Sequence, residues 1–254
     1  MVRTLFISSL LFLIPVVLPQ RKIKIFIAGD STAANKEVRA YPETGWGMPF
    51  AYLFDSLVIV DNRAKNGRST RTFISEGLWQ KLIDDVREGD YVLIQFGHND
   101  EVPTKVGRYT TPKAYEANLG RFIVETRNKK ANPVLLTPVS RRQFDSSGHI
   151  KETHAEYSPI VRSVAKQYNV PLIDMDEKSK ALLQKFGPEN SKLLFLQLEP
   201  GEHPNYPAGK NDNTHFNELG ARKMAQLVLA GIKELHLDVG QHIRPPLEAK
   251  APTP

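Results

Sequence analysis

The sequence predicts an α/β protein with a central five-stranded parallel sheet covered by helices on both faces. Three observations predict it. Short apolar runs alternate with helix-like stretches along most of the chain, and each run is too short to be a buried helix. Polar blocks rich in Gly, Asp, Ser and Asn follow several of these runs, where open parallel sheets bind ligands.

The first strand is read at Lys22–Ala28, where charged and apolar residues alternate before Phe26-Ile27-Ala28 turns wholly apolar. Val58-Ile59-Val60 is a β-branched second strand. Tyr91–Phe96 is a third, after the turn Glu88-Gly89-Asp90, and Pro133–Thr137 is a fourth. Pro171–Asp174 makes the fifth. Between them, Thr72–Val86 carries Phe73, Leu78, Leu82 and Val86 at helical spacing. Pro112–Lys130 carries Tyr115, Leu119, Phe122 and Ile123, with Pro112 suited to a first helical position. Ala155–Tyr168 and Asn217–Leu235 complete the helices. Ser140–Thr153 and Glu199–Asn213 fit no element and read as long functional loops.

Composition narrows the function. The chain has 254 residues, 41% hydrophobic and 24% charged, which suits one globular domain. Its net charge of +6 favours an anionic partner, but the basic residues are dispersed, which argues against nucleic acid. With no cysteine, disulfides, thiolate metal sites and a Cys nucleophile are excluded. Arg3 followed by the apolar run Leu5–Leu18 has the anatomy of a signal peptide, too short for a comfortable transmembrane span. The expected organisation is a leader at 1–20, one domain at 21–240, and a disordered tail at 241–254 with four prolines from Pro245 on. The mature protein is then periplasmic or secreted, with no stable membrane association.

Four blocks can carry chemistry. Gly29-Asp30-Ser31-Thr32 follows the first strand; a serine at a strand-to-helix turn is exposed, beside helix N–H groups that favour a developing anion. By itself the same block fits a helix N-cap better. A serine nucleophile needs a base, and Asp212-Asn213-Thr214-His215 supplies a histidine with a carboxylate able to fix its tautomer. Its bland alternative is a cap for the final helix. Gly97-His98-Asn99-Asp100 follows the third strand, and the Asn99 amide is a neutral donor for an oxyanion; a simple turn would look alike. Asn66-Gly67-Arg68-Ser69 follows the second strand, with Gly67 either a further N–H donor or a turn glycine. Each block is weak alone, but together they supply a nucleophile, an acid–base pair and oxyanion donors.

These blocks resemble the signature blocks of the SGNH (GDSL-like) hydrolases, in order and at compatible spacing. Gly45-Trp46-Gly47, Asn62-x-Ala64-x-Asn66-Gly67-Arg68-Ser69-x-Arg71 and Gly89-Asp90-Tyr91-Val92 sharpen the resemblance toward the rhamnogalacturonan acetylesterase branch. It spans Ile25 to the final helix and implies a three-layer, flavodoxin-like sheet. It also implies a triad of Ser31, Asp212 and His215, an oxyanion hole of Ser31, Gly67 and Asn99, and deacetylation of an acidic plant polysaccharide. No cofactor and no metal is expected: the histidines lack helical ligand spacing with a supporting carboxylate. The absence of a Gly-x-Ser-x-Gly elbow counts against an α/β-hydrolase and against Ser69 as nucleophile. Arg68, Arg71, Arg141 and Arg142 are candidate partners for uronate carboxylates, although singly each reads better as surface charge. Trp79 reads as core, and Trp46 as core or sugar platform. The competing functions are a lipase, thioesterase or general acyl esterase, which needs an apolar acyl pocket, and a non-catalytic carbohydrate-binding protein.

Overall fold

The computed structural model describes residues 21–245, so the leader read at 1–20 and the tail beyond 245 lie outside the described residues. Strands β1 (Ile23–Gly29), β2 (Val58–Asn62), β3 (Tyr91–Gln95), β4 (Asn132–Leu136) and β5 (Leu172–Ile173) form one parallel sheet in the order β2-β1-β3-β4-β5. This is the flavodoxin-like order, and its switch point lies between β1 and β3, where a crevice opens beyond the strand ends.

Alternation along the strands divides the core in two. Ile25 and Ile27 of β1, Leu93 of β3, and Val134 and Leu136 of β4 face one side of the sheet. Phe26 and Ala28, Val92 and Ile94, and Leu135 face the other. The first side is covered by α1 (Gly47–Phe50), α6 (Met175–Asn190) and α7 (Glu218–Glu234), through Phe50, Leu183, Met224 and Val228. The second is covered by α2 (Thr70–Ser75), α3 (Leu78–Asp85), α4 (Pro112–Asn128) and α5 (Tyr157–Gln167), through Phe73, Trp79, Phe122 and Val161. Each such large side chain contributes roughly 1.5–3 kcal/mol by leaving water. Trp46 and Trp79 are both buried; Trp46 Nε1 donates to Gln95 Oε1 at 2.7 Å, which makes it core and not a sugar platform.

Local chemistry sets the ends of these elements. Thr111 caps α4 ahead of Pro112, and Ser69 caps α2 in a reciprocal box with Thr72. Asp90 is fully buried and accepts from the amides of Lys24 and Arg87. The Gly89-Asp90 block therefore staples the start of β1 to the start of β3, at the edge opposite the crevice.

Three expectations are corrected and one helix is added. The helix read at 72–86 is two, broken at Gly77, whose φ of +70° is left-handed. The stretch after β5 forms α6, which buries only Met175, Asp176, Ser179 and Leu183, a face too narrow and polar to leave a helical hydrophobic signature. The loop read at Glu199–Asn213 ends earlier: 199–209 is the connection of a hairpin, and from Lys210 on the chain is β7 (Lys210–Phe216), paired antiparallel with β6 (Phe195–Leu198). The tail starts later than 241, because His242 Nδ1 meets Asp55 Oδ2 at 3.1 Å and the Arg244 amide donates to Leu53. No helix among the described residues is long and apolar enough to cross a membrane.

Candidate active site

Ser31 lies just past β1, Gly67 past β2 and Asn99 past β3, so three neighbouring strands deliver them to the crevice at the switch point. The expected strand-to-helix turn at Ser31 is absent. One tight turn, with the amides of Ala33 and Ala34 donating to Asp30 O, leads into an irregular stretch. Backbone contacts hold this turn instead: Trp46 N donates to Thr32 O and Gly47 N to Ala33 O. A Cβ on Gly45 would lie 2.1 Å from Ala34 O, and one on Gly47 2.4 Å from Asn62 Nδ2, so only glycine allows this approach. Asp30 is buried beneath the turn, its Oδ1 accepting from Thr32 N and Oγ1 at 2.9 and 2.8 Å.

The candidate acid–base pair comes from β7. Opposite β6, Phe216 pairs with Phe195 and Asp212 with Leu196, so Asn213, Thr214 and His215 bulge out of the ladder. Asp212 Oδ1 accepts from the amides of Thr214 and His215, while Oδ2 lies 2.8 Å from His215 Nδ1. His215 Nε2 in turn lies 2.8 Å from Ser31 Oγ. Gln197 Nε2 donates to Asp212 O and Asn213 Oδ1, and Arg142 NH1 also reaches Asn213 Oδ1. The cap alternative for Asp212 fails, because Asn217 caps α7 through Gly220 N. Burial would raise the Asp212 carboxyl, but His215 and the two amides outweigh it and hold it well below the usual range. A carboxylate so held keeps its charge to orient and stabilise an imidazolium.

The three candidate oxyanion donors have N–H groups to spare. No described residue accepts the amide N–H of Ser31 or Gly67, and Gly67 has a φ of +75°. Asn99 Nδ2 donates one hydrogen to Arg68 O at 3.0 Å and keeps the other. The Lys36 ammonium, its side chain only 2% exposed, ties the parts together. It donates to Ser31 O at 2.6 Å, Asn66 Oδ1 at 2.7 Å and Glu43 Oε1 at 2.7 Å.

His98 packs edge-on against His154, with ring centroids 4.6 Å apart. Burial, then the charges of His154 and Arg141, drives it well below the usual histidine range, so it is neutral. Among the four arginines singled out, Arg141 pairs with Glu101, which also binds His154 Nδ1, and Arg68 pairs with Glu76. Arg142 braces the β7 bulge and donates to Pro188 O, and Arg71 reaches Val106 O and Tyr109 O. The arginine that touches the donors is Arg108, whose NH1 lies 3.1 Å from Asn99 Oδ1. Neither Arg108 nor Lys36 sits in any periodic pattern, and only the folded chain brings them to the site.

The carboxylates of Glu152, Asp176 and Glu177 cluster among the described residues, but Lys180 Nζ lies 2.6, 3.5 and 2.8 Å from them, where a cation would sit. A cavity of about 800 Å³ on the neighbouring face is lined by residues such as Lys36, Tyr41, Met48, Tyr52 and Arg222, and by none of Ser31, Asp212 or His215.

Residues 27–223 match the GDSL-like Lipase/Acylhydrolase family. The chain is 44% identical over 224 residues to rhamnogalacturonan acetylesterase RhgT of Bacillus subtilis, covering 88% of this chain and 95% of that one. It is 36% identical to the probable rhamnogalacturonan acetylesterase YesY of the same organism, covering 86% and 96%. The crystal structure of YxiM from Bacillus subtilis superposes with a TM-score of 0.74 at 25% identity, over 87% of this chain and 58% of that one. By sequence and by fold, this chain belongs to the GDSL-like lipase/acylhydrolase family of carboxylic ester hydrolases.

Proposed function

We propose that the chain removes O-acetyl groups from rhamnogalacturonan through an acetyl-Ser31 intermediate. The observation that carries this reading is the continuous chain Asp212–His215–Ser31, with hydrogen-bond lengths of 2.8 Å at both links, set beside free amide donors. The similarity to RhgT and YesY supports the acetyl group and the polysaccharide.

In this mechanism Ser31 Oγ attacks the ester carbonyl carbon as His215 Nε2 takes its proton. The negative oxygen is held by the amides of Ser31 and Gly67 and by Asn99 Nδ2. As the carbon–oxygen bond to the sugar breaks, His215 returns the proton to the departing hydroxyl. Water, deprotonated by His215, then attacks acetyl-Ser31; acetate leaves and Ser31 regains its proton. Asp212 holds the imidazole in the right tautomer throughout. We also propose export, on the strength of Arg3 and the apolar run that follows it.

The test is acetate release from acetylated rhamnogalacturonan, acetylated xylan and a long-chain ester, by the wild type and Ser31→Ala. Release from the first substrate that vanishes in the variant is the expected result. Near-normal turnover by Ser31→Ala would overturn the mechanism, and activity confined to the other esters would overturn the substrate.

A further inference from the structure

Arg108 lies on the loop between β3 and α4, and its backbone is fixed from several directions. Its amide and that of Tyr109 donate to Lys105 O, and Thr110 N donates to Asp100 O. Thr110 is buried, and its carbonyl accepts from Tyr157 OH at 2.6 Å. Arg71 NH1 reaches the carbonyls of Val106 and Tyr109 from α2. The loop is therefore a built support for its arginine.

The guanidinium stands directly against the site. NH1 donates to Asn99 Oδ1 at 3.1 Å, on the same side-chain amide whose Nδ2 keeps one hydrogen free. A Cβ on Gly67 would lie 3.1 Å from the same NH1, so the guanidinium also covers the Gly67 backbone. Arg68 and Arg141 spend their charge on Glu76 and Glu101, whereas no carboxylate among the described residues lies within ion-pair distance of Arg108. A guanidinium carries five N–H donors in a planar fork, and Arg108, half-buried, commits one of them to Asn99. An unneutralised fork at the mouth of a crevice matches a carboxylate bidentately.

We infer that Arg108 is the carboxylate-recognition residue of the site, binding the acid group of a uronate sugar next to the acetylated position. The inference rests on the proposed polysaccharide substrate and names which of its groups the enzyme reads. A neutral acetylated glycan offers this fork only uncharged hydroxyl and carbonyl oxygens, so Arg108 sets preference for an acidic chain over a neutral one.

The experiment compares wild type, Arg108→Gln and Arg108→Lys on acetylated rhamnogalacturonan oligosaccharides, on the same oligosaccharides with their carboxyl groups reduced to alcohols, and on p-nitrophenyl acetate. The expected result is a wild-type preference in kcat/KM for the acidic over the reduced oligosaccharide. Arg108→Gln should lower that ratio on the order of 10–100-fold, mainly through KM, and Arg108→Lys should restore part of it. Thermal melting of the variants checks that they fold. If Arg108→Gln slows all three substrates equally and leaves the ratio intact, Arg108 acts only through Asn99 and the inference is wrong. If the wild type ignores both oligosaccharides yet cleaves p-nitrophenyl acetate, the substrate proposal has failed instead.

Discussion

Replacing Lys36 by methionine tests whether the proposed oxyanion donors are held in place by a buried charge. The ammonium uses its three donors on Ser31 O, Asn66 Oδ1 and Glu43 Oε1, all within 2.6–2.7 Å. Methionine keeps the length of the stem and removes every one of these bonds. Hydrogen bonds to a charged group are each worth about 1.5–3 kcal/mol, and breaking a buried ion pair costs roughly 3–5. Glu43 remains 18% exposed at its side chain, and Asn66 is near solvent, so water recovers part of the loss. A net destabilisation of about 2–3 kcal/mol follows, which for a domain of this size lowers Tm by roughly 5–10 °C. The kinetic effect has a separate signature. Lys36 joins the Ser31 backbone to the residue before Gly67, so its loss lets two donors drift apart, and kcat should fall on the order of tenfold or more while KM changes little. Steady-state acetate release and a thermal melt measure both quantities, with Lys36→Arg as the charge-retaining control. A Lys36→Met enzyme with wild-type Tm and wild-type kcat would refute the clamp.

Two further predictions concern groups around the proposed nucleophile, Ser31. Burial pushes Asp100 up to about 7 from an ordinary 3.8, against hydrogen bonds from Thr70, and its Oδ2 has no partner. Between about pH 4 and 7 the folded chain therefore holds a proton that the unfolded chain has released, and stability falls as pH rises through that window. Asp100→Asn cannot ionise, so its Tm relative to wild type should climb from pH 4 to pH 8; a flat difference would contradict the buried carboxyl. Gly45→Ala puts a methyl 2.1 Å from the Ala34 carbonyl, backbone against backbone. It should cost about 1–3 kcal/mol or more in chemical denaturation and displace the Ser31 turn, lowering turnover as well; unchanged stability would show that the turn is not pinned there.

The parts of the fold carried by periodic burial could be read directly. Phe26 and Ile27 announce the two faces of β1, and Pro112 marks the start of α4 because its missing N–H costs nothing there. The pairing of Ser31 with His215, 184 residues apart, was legible because a serine nucleophile demands a base and the chain offers one with an adjacent carboxylate. What could not be read was structure held by polar contacts. In β7, Lys-Asn-Asp-Asn-Thr-His-Phe has no apolar alternation and is a strand only because β6 pairs with it. The turn after Ser31 looks like a helix start, yet its carbonyls go to Trp46 and Gly47 from a distant segment. Lys36 and Arg108 belong to the same class: single charges on irregular chain, with a meaning given only by their neighbours.

The bulge in β7 also has an evolutionary consequence. Both of its ends are locked, Asp212 opposite Leu196 and Phe216 opposite Phe195, so the segment between them behaves like a fixed span of chain. One residue added or removed there has nowhere to go except into the imidazole's own position, and this short stretch should resist changes of length. The tip of the same hairpin, between Leu198 and Lys210, lies outside those locks and is tied elsewhere: Asn205 Nδ2 donates to Val38 O and Tyr41 O, and Tyr206 OH to Ala40 O. A change of length at that tip therefore falls on the 38–41 segment and leaves the histidine where it is.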